Sequence, residues 1–238
     1  MLGFPPDAEL WSWDFNAIEL MNGPRVIFRN PPGALAGALF DDWMGFHNLG
    51  HRIVALGSSD THGEEGPGEV RTYFASPTDD PVSFDGQDLV DALVAGRAVV
   101  SAGAFIRLTA GGQAGPGDMI GAGGGTVDVA IRVEAPPAVD VAYVTVFRNC
   151  DQVASVLATD PHGVVKLDVT VPVAVTQDSH VVVAAFGAET MPPGLVQYSP
   201  AGRPRGVTNP VFVDHDGDGA FTPPGVKSCV YDLAPPDA

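Results

Sequence analysis

The run Arg52-Ile53-Val54-Ala55-Leu56-Gly57-Ser58-Ser59-Asp60-Thr61-His62 carries four apolar residues into a small-residue turn and then an Asp-x-His pair. A buried strand that ends in a carboxylate and an imidazole can deliver two metal ligands. In extended backbone, residues two apart point to the same face, roughly 7 Å apart at ~3.3 Å per residue. Asp60 and His62 could therefore share one ion or hold one each of two neighbouring ions. A protein metal site needs three or more ligands, and this motif supplies two. The competing reading is a strand-end turn in which Ser58, Ser59 and Asp60 cap the next segment.

Other residues could join or replace that chemistry. Glu19 is a lone carboxylate in an apolar stretch, where burial without a partner would be costly. It is a ligand, a group bonded to a ligand, or a rim residue. Asp214-His215-Asp216-Gly217-Asp218-Gly219 resembles the first half of an oxygen-rich calcium loop, with Asp214, Asp216 and Asp218 as ligands. The twelfth position, where a complete EF-hand loop brings a bidentate Glu, is Gly225, so that loop type is excluded. An acidic solvated turn is the alternative. Arg71, shortly after the Asp-x-His pair, is a candidate anion contact, with an ordinary salt bridge as its alternative. Gly111-Gly112 and Gly123-Gly124-Gly125 precede no helical pattern and read as hairpin or loop glycines, not phosphate cradles. The chain has no CxxC, P-loop or Ser-His-Asp arrangement.

The elements that must position these residues are set out by periodicity. Residues 15–21 read as a short buried strand stopped by Asn22-Gly23, and 30–33 as a loop. From Leu35, apolar residues at Leu39, Trp43 and Phe46 fall three and four apart, predicting an amphipathic helix that ends near Gly50. The strand ending at Leu56 comes next. Apolar strand, helix and apolar strand in that order imply a parallel sheet covered by helices. Functional groups in such folds gather at the carboxyl ends of strands. Glu19, Asp60 and His62 lie there; His47 and His51 lie at the other end and read as structural or solvent-facing.

Asp85 can cap a second helix carrying Leu89, Val90, Leu93 and Val94, followed by a strand over 97–101. Beyond about residue 103 the helical period disappears. Short alternating runs recur at 105–109, 127–133, 139–147, 153–157, 164–171, 180–186 and 207–213, separated by Gly, Pro and Asp turns. Seven such strands predict an immunoglobulin-like β-sandwich. The expected division is therefore residues 1–104 and 105–238.

Apolar residues make up 45% of the 238, and mean hydropathy is +0.13, a globular composition. The formal charge of −17 argues against a nucleic-acid partner, which requires a basic face. It suits cation binding and an exported protein, although the bias to Arg over Lys fits a GC-rich genome equally well. No apolar run approaches the ~20 residues of a membrane span. The N-terminus lacks the basic and apolar regions of a signal peptide. Cys150 and Cys229 fit no metal spacing and are either one disulfide or two free thiols.

Asp14-x-x-Ala17-Ile18-Glu19-Leu20-x-Asn22-Gly23, Leu49-Gly50-His51-Arg52-x-Val54-Ala55-x-Gly57-Ser58-Ser59-Asp60-Thr61-His62 and Arg71-Thr72-Tyr73 together resemble PHP-domain metallohydrolases. Within that family they look most like the CehA/McbA type, related to carbaryl hydrolases. Leu89-Val90-x-Ala92-Leu93-x-x-Gly96-Arg97-x-Val99-Val100-Ser101 and Thr208-Asn209-Pro210-x-x-Val213-Asp214-x-Asp216-Gly217-Asp218-Gly219 resemble its tail. The resemblance covers most of the chain, and Gly-Ser-Ser-Asp-x-His is its most specific part. It implies an α/β plus all-β fold: the C-terminal part of a PHP-type distorted β/α barrel, then the β-sandwich. It also implies hydrolysis of phosphoesters or carbamate and carboxyl esters of small molecules by a water activated on divalent ions of the Zn, Mn or Fe class. Asp60 and His62 match the family's last ligand motif, Glu19 matches a strand-end Glu, and Arg71 would contact the anion. The family's opening His-x-His has no match here, so the expectation is the C-terminal portion of such an enzyme, periplasmic or extracellular. A non-catalytic β-sandwich with a calcium loop is the alternative function.

Overall fold

Alternation is cleanest in β7 (Thr126–Glu134), which buries Val127, Val129, Ile131 and Val133 and turns Asp128 and Ala130 to solvent. The computed structural model describes residues 12–22, 39–62, 68–123, 125–192 and 202–236. β5 (Phe105–Ala110) and β10 (Val165–Ala174) flank β7 antiparallel on either side, giving a three-stranded sheet.

The second sheet is larger. It runs β3 (Arg71–Phe74), β4 (Ala98–Ala102), β12 (Arg205–Thr208), β11 (Ser179–Phe186), β13 (Val211–Asp214) and β6 (Met119–Gly121). β8 (Tyr143–Arg148) pairs with β11, and β9 (Asp151–Leu157) with β8. Every residue of β11 is buried because both faces of the sheet are covered. Val181, Val183 and Ala185 pack against the three-stranded sheet; Val182, Ala184 and Phe186 face the other way. There they meet helix α1 (Leu39–Asn48), which contributes Phe40, Trp43, Met44 and Phe46. A strand covered on both faces loses the half-polar alternation of a sheet edge or surface strand.

β1 (Ala17–Asn22) and β2 (Val54–Ser58) form a separate parallel pair joined through α1. Trp43 donates from Nε1 to the Ile53 carbonyl at 2.7 Å, fixing α1 against the start of β2. Asn209 is fully buried and ties this pair to the large sheet. Its Oδ1 accepts from the Ala55 amide at 2.7 Å, and its Nδ2 donates to the carbonyls of Ala55 and Ala98, each at 3.0 Å. Helix α2 (Gly86–Val94) begins where Asp85 accepts from the Gln87 amide, as its sequence predicts.

The expected α/β plus all-β fold, with part of a β/α barrel before the sandwich, is contradicted. Strands far outnumber helices, pairing is mainly antiparallel, and no barrel closes among the described residues. The reason lies after β2. β3 and β4 run antiparallel despite the helix between them, and β4 then pairs antiparallel with β12. The parallel run therefore stops at two strands. The sheet containing β3 and β4 also takes in β12, so strands from both sides of residue 104 share it.

The expected strand at 207–213 is two, β12 and β13, broken at Asn209-Pro210. The helix start at Leu35, the loop at 30–33, residues 1–11 and Gly124 lie outside the described residues. Cys150 and Cys229 form a disulfide, which resolves the two sequence alternatives. The tail it anchors crosses α1, where Tyr231 donates to Asp41. No described helix is long and apolar enough to cross a membrane.

Candidate functional site

Glu19 lies near the carboxyl end of the β1–β2 pair, with Asp60 and His62 just beyond β2. Register sets Glu19 against Leu56 and Asn22 against Ser58, so Glu19 and the end of β2 share one edge. The Ser58 hydroxyl and the Asn22 side-chain amide both donate to the Glu19 carboxylate. Beyond β2 the chain turns at Asp60, whose φ of 52° is a left-handed conformation that Asp tolerates better than most residues. That turn brings the Asp60 carboxylate to 2.8 Å from His62 Nε2. Both side chains are open to solvent, His62 at 81%. A carboxylate and an imidazole converge at an exposed strand end, but Glu19 is bonded to Ser58 and Asn22, and the three do not form one ligand cluster.

Two contacts hold β2 in place there. The Gly57 amide donates to Thr72 Oγ1 at 2.8 Å, and that hydroxyl donates to the Gly57 carbonyl at 3.0 Å. Thr72 lies in β3 beside Arg71, whose side chain is exposed and is not brought into contact with Asp60 or His62.

A second site forms where β13 ends. Asp178, Asp214 and Asp216 bring one carboxylate oxygen each within 4.8 Å of one another, the sole three-ligand group among the described residues. Asp178 and Asp214 are buried and Asp216 is exposed. The loop folds around Asp214, which accepts from the amides of Gly217 at 2.6 Å and Gly219 at 2.8 Å. Those amides, Gly219 first, hold the Asp214 carboxyl below its ordinary pKa against the opposing effect of burial. Asp218, expected as a ligand, stands outside the cluster and accepts from the Ala220 amide at 2.8 Å.

Asp178 was not expected. It sits in the turn before β11 and accepts from the amides of His215 at 2.7 Å and Thr222 at 2.6 Å. Its only sequence signal is an isolated Asp in a polar turn, Thr176-Gln177-Asp178. The contact arises because β11 and β13 are antiparallel neighbours, with Ser179 opposite Val213. Oxygen-only donors of this kind suit a hard cation such as Ca²⁺.

His47 is buried in the core, and His51 stacks on Trp13 with ring centroids 3.6 Å apart. No protein-family model, curated protein or solved structure matches the chain. The family resemblance therefore rests on the motif residues themselves.

Proposed function

We propose that the chain is the C-terminal portion of a metal-dependent hydrolase acting on phosphoesters or on carbamate and carboxyl esters of small molecules. The observation that carries this reading is the convergence of Asp60 and His62, 2.8 Å apart and open to solvent, at the carboxyl end of a parallel strand pair. A bound divalent ion would supply a water of lowered pKa and polarise the ester oxygen. In this reading Asp60 and His62 are ligands, and Glu19 takes a ligand role or orients one through Ser58. Arg71 offers its guanidinium to the substrate's anionic oxygens.

The test is an activity panel of nitrophenyl phosphodiesters and aryl carbamates with Zn²⁺, Mn²⁺ or Fe²⁺, on this chain and on one extended upstream. In the active form, Asp60→Ala is expected to lower turnover about a hundredfold or more, since even partners of ligands cost 10–100-fold. Unchanged hydrolysis in Asp60→Ala overturns the proposal.

A second reading is supported by the convergence of Asp178 with Asp214 and Asp216: a non-catalytic β module that binds Ca²⁺ at its acidic loop. The two readings are compatible in one chain, because they use different residues.

A further inference from the structure

We infer that a cavity at the amino end of β2 binds a small organic anion, a carboxylate on an apolar body. The cavity holds about 260 Å³ and lies at the opposite end of β2 from Asp60 and His62. Its walls include His47, Arg52, Val54, Val94, Pro210 and Phe212. The volume falls just below the range of roughly 300–1,000 Å³ usual for small-molecule pockets, which restricts the occupant to a compact molecule.

Two polar groups stand in these walls, the buried His47 and the exposed Arg52. His47 is 2% exposed, and neither ring nitrogen makes a well-formed hydrogen bond among the described residues, the Ile53 backbone being a poorly aligned partner. Buried imidazoles are normally satisfied, because an unmade hydrogen bond costs its full desolvation. The Ile53 carbonyl nearby accepts from Trp43 and, more weakly, faces the His47 ring as well. Burial and the positive charge of Arg52 keep His47 neutral, so it offers one N–H donor and one acceptor nitrogen.

Arg52 is the second group. Its guanidinium carbon lies 4.1 Å from the Phe212 ring centroid, which holds the charge at the cavity wall. The side chain is exposed; it lies 5.9 Å from the Phe221 ring centroid, and its Nη2 lies 4.0 Å from the Met119 sulfur. No carboxylate pairs with it among the described residues, in a chain with 29 acidic residues. A guanidinium presents a donor fork that matches a carboxylate edge-on. An anion on Arg52, with its apolar portion against Val54, Val94 and Phe212, would give the guanidinium a charged partner and the His47 ring a better-aligned one. A neutral ligand would leave the guanidinium unanswered.

Benzoate is a suitable probe, with benzyl alcohol as its uncharged counterpart. Calorimetric titration of the full chain should show saturable benzoate binding, with benzyl alcohol at least tenfold weaker. Arg52→Gln, a change at an exposed residue that leaves the core intact, should weaken benzoate at least tenfold. In a histidine-selective NMR titration the His47 resonances should move and those of exposed His162 should not. Absence of saturable benzoate heat, equal affinity in Arg52→Gln, or a His47 signal that stays still would each overturn the inference.

Discussion

Gly57 sits where β2 passes closest to its neighbours. A Cβ there would lie 2.5 Å from Val100 Cγ1 and 2.8 Å from Val70 Cγ1, both on buried valines. Contacts that short force side chains or strands apart, so Gly57→Ala should cost about 1–3 kcal/mol. A lower urea midpoint with an unchanged slope is the expected result; an unchanged midpoint would mean that β2 has room to shift. At the acidic loop, Asp214 accepts the two short bonds from Gly217 and Gly219, whereas exposed Asp216 accepts only a long one, 3.3 Å, from the Asp218 amide. Asp216→Ala should therefore leave the calcium-free melting temperature within a degree or two, a surface-type effect. Calcium should raise the melting temperature of the parent chain, by linkage, and not that of the variant. An equal calcium shift in both would remove Asp216 from the site.

At the scale of elements, α1 covers one face of the large sheet and brings His47 into that packing. Its ring meets Trp43 edge-on with centroids 5.2 Å apart, His180 at 5.3 Å and Phe212 at 5.7 Å. Burial first, then Arg52, lowers the His47 pKa to about 3 from 6.5. A base that is harder to protonate when folded binds more protons when unfolded. Stability from this group is thus full above the unfolded pKa and declines as pH falls from about 6.5 toward about 3, by up to ~1.4 kcal/mol per pH unit. Urea unfolding at pH 7, 6 and 5 should show that decline in the parent chain and a shallower one in His47→Phe. Equal slopes would place the acid sensitivity elsewhere.

Local pattern made many of these elements legible. Alternation marks β5, β7 and β10 because each buries one face against a single core. The spacing of Trp43 and Phe46 marks α1, and Asp85 marks the start of α2. The barrel expectation failed because strand–helix–strand order over β1, α1 and β2 fits any parallel pair. The course of the chain after β2 is decided by pairing across long sequence separations, such as Val100 of β4 with Val207 of β12. The same limit hid Asp178, whose role depends on β11 lying beside β13. Asp60 and His62 were legible because their contact is local.

In the whole molecule, the large sheet is the spine. The three-stranded sheet covers one face, α1 the other, and Asn209 joins the β1–β2 pair to it. The two candidate metal loci therefore hang from different parts of one framework: Asp60 and His62 beyond β2, and Asp178 with Asp214 and Asp216 at the ends of β11 and β13. A charge of −17 favours cations at both. The most direct measurement of the central claim is Mn²⁺ binding followed by electron paramagnetic resonance, on the parent chain, Asp60→Ala, His62→Ala and Asp216→Ala. A class of bound ion lost in Asp60→Ala and His62→Ala but kept in Asp216→Ala is the predicted result. The same Mn²⁺ uptake in the parent chain, Asp60→Ala and His62→Ala would contradict a metal role for the Asp60–His62 pair.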